Sequence, residues 1–210
     1  MILAHRGYFD KYIPENSMTA FIRCVDKNIP IELDVHLTKD KRVVVFHDYN
    51  LFRMTGINKN IEDITYNEIK KLKLGKTNEH IPLLEDVLKK VGNRVYILIE
   101  LKNKIIGPLE DELLKVVQNY SNYAFQTFKL KSIYYLRDRT NKKLGLLVMN
   151  KLKKKLYHNS KIDFISHNLI TINSYKANKE LYIFTINNNN ELKEAYKYTS
   201  NVIANICKLK

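Results

Sequence analysis

Ile31-Glu32-Leu33-Asp34-Val35 is the stretch whose reading decides the fold. Apolar side chains alternate with carboxylates, which predicts a strand with one apolar and one acidic face. Residues two apart on a strand share a face, so Glu32 and Asp34 point the same way, with Cα atoms roughly 6.5–7 Å apart. Ile31, Leu33 and Val35 point the other way, into an apolar layer. Two like charges on a buried face cost several kcal/mol each if unpaired. A hard divalent cation, taking oxygen ligands at about 2.0–2.6 Å, resolves that cost. The competing reading is a solvated face on an exposed strand, and the rest of the chain decides between the two.

Working outward, residues 1–5 read as a first strand in which Leu3 and His5 share a face. Ser17 is the expected N-cap of a helix over 18–28, with Phe21, Cys24 and Val25 as its apolar stripe. Strand, helix and strand make a right-handed crossover that arrives at Ile31–Val35. Downstream, Val43-Val44-Val45-Phe46-His47 forms another strand-like run, reached through the turn signal Thr38-Lys39-Asp40-Lys41. Parallel neighbours need a dozen or more connecting residues, so this short link implies antiparallel pairing or an irregular junction.

Residues 50–80 read as an insertion with a short helix near Tyr66–Leu74 stopped by Gly75, placed where such segments cover a pocket. Leu84–Val91 is a helix ended by Gly92, and Val95–Lys102 is the clearest strand, with Glu100 and Lys102 two apart at its end. The alternation then continues: helices over 109–119, 129–138, a basic 151–158, a short one before residue 181, and 190–198. The strands between them cover 122–127, 144–149, 162–166, 181–186 and 201–206. Strands alternating with helices predict a parallel sheet with helices outside it. There are nine strand-like runs, one more than an eight-stranded barrel needs, so one is a hairpin arm or lies outside the barrel.

The length of 210 residues and 45% apolar content predict a single domain over 1–210 with a full core. No apolar run approaches the length of a membrane span. A strand starting almost at residue 1 leaves no room for a signal peptide, and two cysteines fit reduced thiols better than a disulfide framework; both set a cytoplasmic expectation. The net charge of +14 attracts phosphate, nucleic acid or an anionic membrane surface, although the lysines also fit a Lys- and Asn-rich composition. Basic patches without clustered exposed aromatics make nucleic acid an unexpected partner, and leave peripheral contact with an anionic membrane open.

The chemistry gathers where strands end. His5, Glu32 with Asp34, His47, and Glu100 with Lys102 terminate the first four strands, on the face opposite the helices. Barrel interiors favour Val, Ile and Leu, so three carboxylates, two imidazoles and a lysine at one end make poor filler. Together they read as a hard-metal site flanked by two proton-transfer groups and a cation. His36, His80, His158 and His167 lack such a setting and are read as surface or core residues.

Several blocks resemble the glycerophosphodiester phosphodiesterase family. They are His5-Arg6-Gly7, Pro14-Glu15-Asn16-Ser17, Glu32-Leu33-Asp34-Val35, Val45-Phe46-His47-Asp48, Arg53 with Thr55, Glu100-Leu101-Lys102 and, later, Phe184-Thr185-Ile186-Asn187. The likeness is dense to about residue 104 and then fades. Met54 departs from a usual Arg-Thr-Thr, and Phe184 stands where the family usually has Trp.

The resemblance implies a triosephosphate-isomerase-type (β/α)8 barrel, with allowance for distortion and a small insertion after the third strand. It implies one divalent cation, Mg²⁺ or Ca²⁺, on Glu32, Asp34 and Glu100, with His5 and His47 as the general acid/base pair. Arg6 and Lys102 would meet the phosphate, and Phe184 would line the alcohol side of the pocket. The expected reaction is hydrolysis of a glycerophosphodiester to glycerol phosphate and an alcohol. The alternatives are phospholipase-D-like cleavage of a lysophospholipid or sphingolipid, and a non-catalytic phosphate-ligand binder.

Overall fold

The acidic strand is one stave of a closed barrel. In the computed structural model, which describes residues 1–150, 154–172 and 178–209, β2 (Ile31–Leu37) pairs in parallel with β1 (Ile2–His5) and β4 (Ile97–Leu101). Five further parallel strands complete the ring: β5 (Tyr123–Thr127), β6 (Leu144–Val148), β7 (Phe164–Asn168), β8 (Glu180–Ile186) and β9 (Asn201–Ala204). β9 closes back onto β1 through Ile2↔Val202, Leu3↔Ile203 and Ala4↔Ala204. The ninth strand, β3 (Val43–Val45), lies outside the ring and pairs antiparallel with the end of β2. That settles the short 38–42 link as a hairpin, and β3 stops two residues before His47.

Alternation divides the apolar residues into two layers. Ile31, Leu33 and Val35, with Ile97, Ile99 and Leu101, face outward into the main core beneath the helices. Leu3, Leu98, Ala124, Phe164, Tyr182 and Ile203 face inward and plug the barrel. The helices contribute their apolar stripes to the outer layer. α1 (Met18–Asp26) is capped by Ser17, whose hydroxyl accepts from the Ala20 amide, and it buries Phe21 and Cys24. Such a cap is worth about 1 kcal/mol.

β3 also divides its side chains. Val43 and Val45 join the main core, while Val44 joins a satellite core with Phe46, Leu51, Ile61, Ile64, Ile69, Leu74, Ile81 and Leu83. This satellite is the 50–80 insertion, built on α2 (Phe52–Thr55), a 3-10 turn at Ile61–Asp63, and α3 (Tyr66–Ile69). α3 is shorter than the apolar pattern predicts, because Leu74 turns back to accept pairing from a hairpin: its amide donates to the Glu79 carbonyl. Around the ring follow α4 (Leu84–Val91), α5 (Pro108–Val117), α6 (Leu130–Arg137), α7 (Lys154–Tyr157) and α8 (Asn189–Ala195). The start of the expected basic helix, residues 151–153, and residues 173–177 before β8, where a short helix is expected, lie outside the described residues.

One inward position of β6 is Gly145, and the Phe164 ring occupies the space its side chain would take: a Cβ there would lie 2.0 Å from the ring. Gly145→Ala is therefore expected to lower stability by about 1–3 kcal/mol, as overpacked cores do. Urea unfolding of the two proteins checks this, and equal midpoints would contradict the packing.

Candidate active site

The barrel's register brings the predicted polar residues to one end. His5 lies opposite Glu32 across β1 and β2, and Asp34 lies opposite Glu100 across β2 and β4. Parallel strands carry these inward side chains to the C-terminal mouth, where barrel enzymes place their chemistry. Oxygens of Glu32, Asp34 and Glu100 come within 4.8 Å of one another, and all three residues are buried.

Such proximity has an electrostatic consequence. Burial, then the charges of Asp34 and Glu100, push the Glu32 carboxyl well above the ordinary carboxylate range. Burial and the Asp34 charge likewise raise Glu100 to about 7, against the pull of Lys102. Burial works the same way on Asp34, but there Lys102, His47 and Arg6 outweigh it and hold the group far below its ordinary value. The Lys102 ammonium sits 3.2 Å from Asp34 Oδ1 and pairs with Glu100. Arg6 donates its amide to Glu32 Oε2 at 3.1 Å, and its Nε lies 3.5 Å from Asp34 Oδ2.

Two of the four non-glycine residues with positive φ among the described residues stand here. Arg6 and Asn16 both adopt left-handed conformations, with φ of 56° and 54°. Such positions cost about 1–3 kcal/mol and mark pre-organised sites. The Asn16 amide donates to the Arg6 carbonyl, and its side-chain Nδ2 donates to Asp34 Oδ2 at 2.9 Å. Asn16 Oδ1 is buried without a hydrogen-bond partner.

These observations fit a hard cation. The donor set is all oxygen, the carboxylates cannot readily ionise together without added positive charge, and a buried amide oxygen beside Asp34 is unused.

Each histidine is held through Nδ1. His5 Nδ1 lies 2.9 Å from Asn205 Oδ1, which can only accept, so Nδ1 carries the hydrogen and Nε2 is left as the free acceptor. Asn205 is fixed in turn by donating to Asn187 Oδ1. Burial, then Arg6, lower His5 to about 4. His47 Nδ1 lies 2.6 Å from Asp48 Oδ1. Burial lowers His47 as well, while Asp34 and Asp48 oppose the shift. Both rings feel the Asp34 charge. The structure therefore assembles His5, Arg6, Glu32, Asp34, His47, Glu100 and Lys102 around one end. Phe184 lies apart from this ionic cluster, against the apolar plug, with its ring edge-on to Phe128 at 6.4 Å.

The structure adds residues to which sequence reading gave no role. Glu15 Oε1 accepts from both Arg6 (2.8 Å) and Arg53 (2.6 Å), and Arg53 also holds both oxygens of Asp48. An unbroken ionic chain thus runs from His47 through Asp48, Arg53 and Glu15 to Arg6. Gln126 donates to Glu32 and accepts from Ser166, both buried inside the barrel. His36 is buried as a core residue, yet it touches the site's frame: its Nε2 donates to the His47 carbonyl at 3.1 Å. Glu15 and Arg53 stand in the quoted motif blocks, which is the signal that could have found them. Gln126, Ser166 and Asn205 carry no comparable signal.

Comparison with known proteins identifies the family. The sequence profile of the glycerophosphoryl diester phosphodiesterase family matches residues 5–204. YhdW of Bacillus subtilis is 33% identical, over 89% of this chain and 86% of that protein. A glycerophosphodiester phosphodiesterase of Caldanaerobacter subterraneus is 35% identical, over 70% of this chain and 66% of that protein. A phosphodiesterase of Oleispira antarctica, solved with its product sn-glycerol-3-phosphate, shares the fold with a TM-score of 0.86, 21% identity and coverage of 98% and 92% of the two chains. The glycerophosphodiester phosphodiesterase of Thermotoga maritima superposes with a TM-score of 0.79 at 25% identity, over 97% and 93%. With the profile spanning nearly the whole chain and relatives this similar, the protein belongs to the glycerophosphodiester phosphodiesterase family and is a phosphoric diester hydrolase.

Proposed function

We propose that the chain hydrolyses a glycerophosphodiester to glycerol phosphate and an alcohol with one divalent cation, Mg²⁺ or Ca²⁺, held by Glu32, Asp34 and Glu100. The observation that carries this reading is the buried carboxylate triad with oxygens within 4.8 Å of one another. When bound, the cation supplies Lewis-acid polarisation of a non-bridging phosphoryl oxygen, worth several kcal/mol. Arg6 and Lys102 add positive charge beside the phosphate as negative charge builds on it. The free Nε2 of one histidine takes the proton of the attacking oxygen. The other histidine delivers a proton to the departing alkoxide as the phosphorus–oxygen bond breaks.

The partners of the two rings support different roles for them. Asp48 is a carboxylate and stabilises a protonated His47; Asn205 is a neutral amide and gives His5 no such support. We therefore assign the proton acceptor to His5 and the proton donor to His47. Phe184 borders the alcohol side of the pocket. The 50–80 insertion covers one edge, a reading supported by Arg53, which reaches across to Glu15, and by Glu62, which with Tyr49 just before the insertion walls a cleft of about 280 Å³ beside Lys102. The free Cys24 and Cys207 suit a reducing compartment, and we place the reaction in the cytoplasm. Among the described residues no helix is long and apolar enough to cross a membrane.

His5→Ala and His47→Ala are each expected to lower turnover of an alkyl glycerophosphodiester by about 10²-fold or more, with circular dichroism unchanged. On a p-nitrophenyl ester, whose leaving group needs no protonation, His47→Ala should recover most of its loss and His5→Ala should not. Near-wild-type alkyl-ester turnover in either variant would contradict its role, and the opposite pattern of recovery would exchange the two assignments.

Chelation gives the second test. Excess EDTA is expected to abolish turnover, and added Mg²⁺ or Ca²⁺ to restore it and raise the melting temperature by relieving repulsion among the three carboxylates. Turnover and melting that both ignore EDTA would remove the cation from the account.

A further inference from the structure

The parallel barrel sends every strand-to-helix loop to the same end, and several of the large apolar side chains exposed among the described residues stand on those loops. Tyr12 follows β1, Ile105 follows β4, Phe128 follows β5, Met149 follows β6 and Ile170 follows β7, while Phe52 on α2 is brought to the same end by its neighbour Arg53, which bonds Glu15 and Asp48. Their exposure is high: Ile170 88%, Ile105 74%, Tyr12 72% and Phe52 63%. Elsewhere the exposed apolar residues are scattered singly, as with Ile22 on α1, Tyr134 on α6 and Tyr196 just past α8. Six exposed apolar tips gathered at the end that holds the site offer the apolar area that marks an interaction surface.

The tips are set among positive charge. Lys11 and Lys104 stand on the loops of Tyr12 and Ile105, Lys39 and Lys41 stand on the β2–β3 hairpin that lines one cleft with Lys104 and Ile105, and all four are exposed. The Lys11 ammonium lies 4.7 Å from the Tyr12 ring centre, and Lys104 lies 5.5 Å from that of Tyr49. The acids nearby are already engaged: Asp10 with Arg23, Glu15 with Arg6 and Arg53, Glu62 with Lys104, and Asp40 with Thr38 and the Tyr66 amide. Among the described residues Lys11, Lys39 and Lys41 carry no salt bridge. Phe128 continues the apolar path inward by packing edge-on against Phe184.

We propose that this rim docks on an anionic lipid bilayer, with the apolar tips entering the headgroup layer and the lysines over the lipid phosphates, so that the site mouth faces the membrane. Docking of this kind needs both apolar insertion and attraction to anionic lipid, and the rim offers both. A second copy of the chain is a poor occupant, since each carries a net charge of +14. Nucleic acid matches the charge, and Tyr12, Phe52 and Phe128 offer rings for stacking, but the two most exposed tips, Ile170 and Ile105, are aliphatic and suit a headgroup layer better than a base. The inference deepens the proposed function by naming the surface from which a diester with a lipid alcohol would reach the site. It is tested without turnover, so the two can fail separately.

The experiment is co-sedimentation of the full chain with vesicles of equal parts phosphatidylglycerol and phosphatidylcholine, against vesicles of phosphatidylcholine alone. The wild-type chain is expected to sediment with the anionic vesicles only. Ile105→Asp with Ile170→Asp should reduce that partitioning by about tenfold or more, and Lys39→Glu with Lys41→Glu should reduce it as well. Hydrolysis of a water-soluble glycerophosphodiester should remain unchanged in both double variants. A wild-type chain left in the supernatant, a double aspartate variant that sediments like wild type, or binding to an RNA homopolymer in preference to the vesicles would each overturn the proposal.

Discussion

Three carboxylates forced together inside a barrel are the constraint on which the rest of this structure turns. Glu32, Asp34 and Glu100 are buried with oxygens within 4.8 Å, and two of the three are driven toward their neutral forms by burial and by one another. Chains do not keep such clusters as packing, because well-packed apolar residues would cost less. The surroundings are arranged to offset the repulsion: Lys102 bridges Asp34 and Glu100, Arg6 caps Glu32 with its amide, Asn16 donates to Asp34 Oδ2 and Gln126 to Glu32 Oε1. Two residues in left-handed backbone conformations, Arg6 and Asn16, are held in place to supply those contacts.

The fold exists around this end. Closing eight parallel strands fixes Asp34 opposite Glu100 and His5 opposite Glu32, so distant parts of the chain meet without any loop having to carry them. The apolar plug of Leu3, Leu98, Ala124, Phe164, Tyr182 and Ile203 lies below the polar layer on the same inward faces. The two histidines are then held from outside the ring of acids, His5 by the segment after β9 and His47 by Asp48 and the insertion's Arg53. The insertion is thus tied to the chemistry through an ionic chain as well as through its own small core.

Much of this was legible in the sequence because strand periodicity is two. Alternation alone puts Glu32 with Asp34, and Leu98 with Glu100, on one face, and the recurrence of polar residues at strand ends marks the mouth. The partners of those residues were not legible, because they depend on closure and register. Asn205 is 200 positions from His5, and Gln126 is 94 from Glu32. Neither belongs to a motif. The extent of α3 was overread because the apolar residues at Ile69, Leu72 and Leu74 fit a helix as well as they fit the compact hairpin that buries them in the satellite core. Loop length narrowed the β2–β3 link to antiparallel pairing or an irregular junction, and the observed register makes it a hairpin.

The account stands on the carboxylate triad being a cation site. Anomalous diffraction from crystals soaked in Mn²⁺, a close mimic of Mg²⁺ with a usable signal, tests it most directly. One strong peak is expected at about 2.0–2.6 Å from oxygens of Glu32, Asp34 and Glu100. A strong peak elsewhere, or none at the triad while Lys102 keeps its pairing to Asp34 and Glu100, would contradict it.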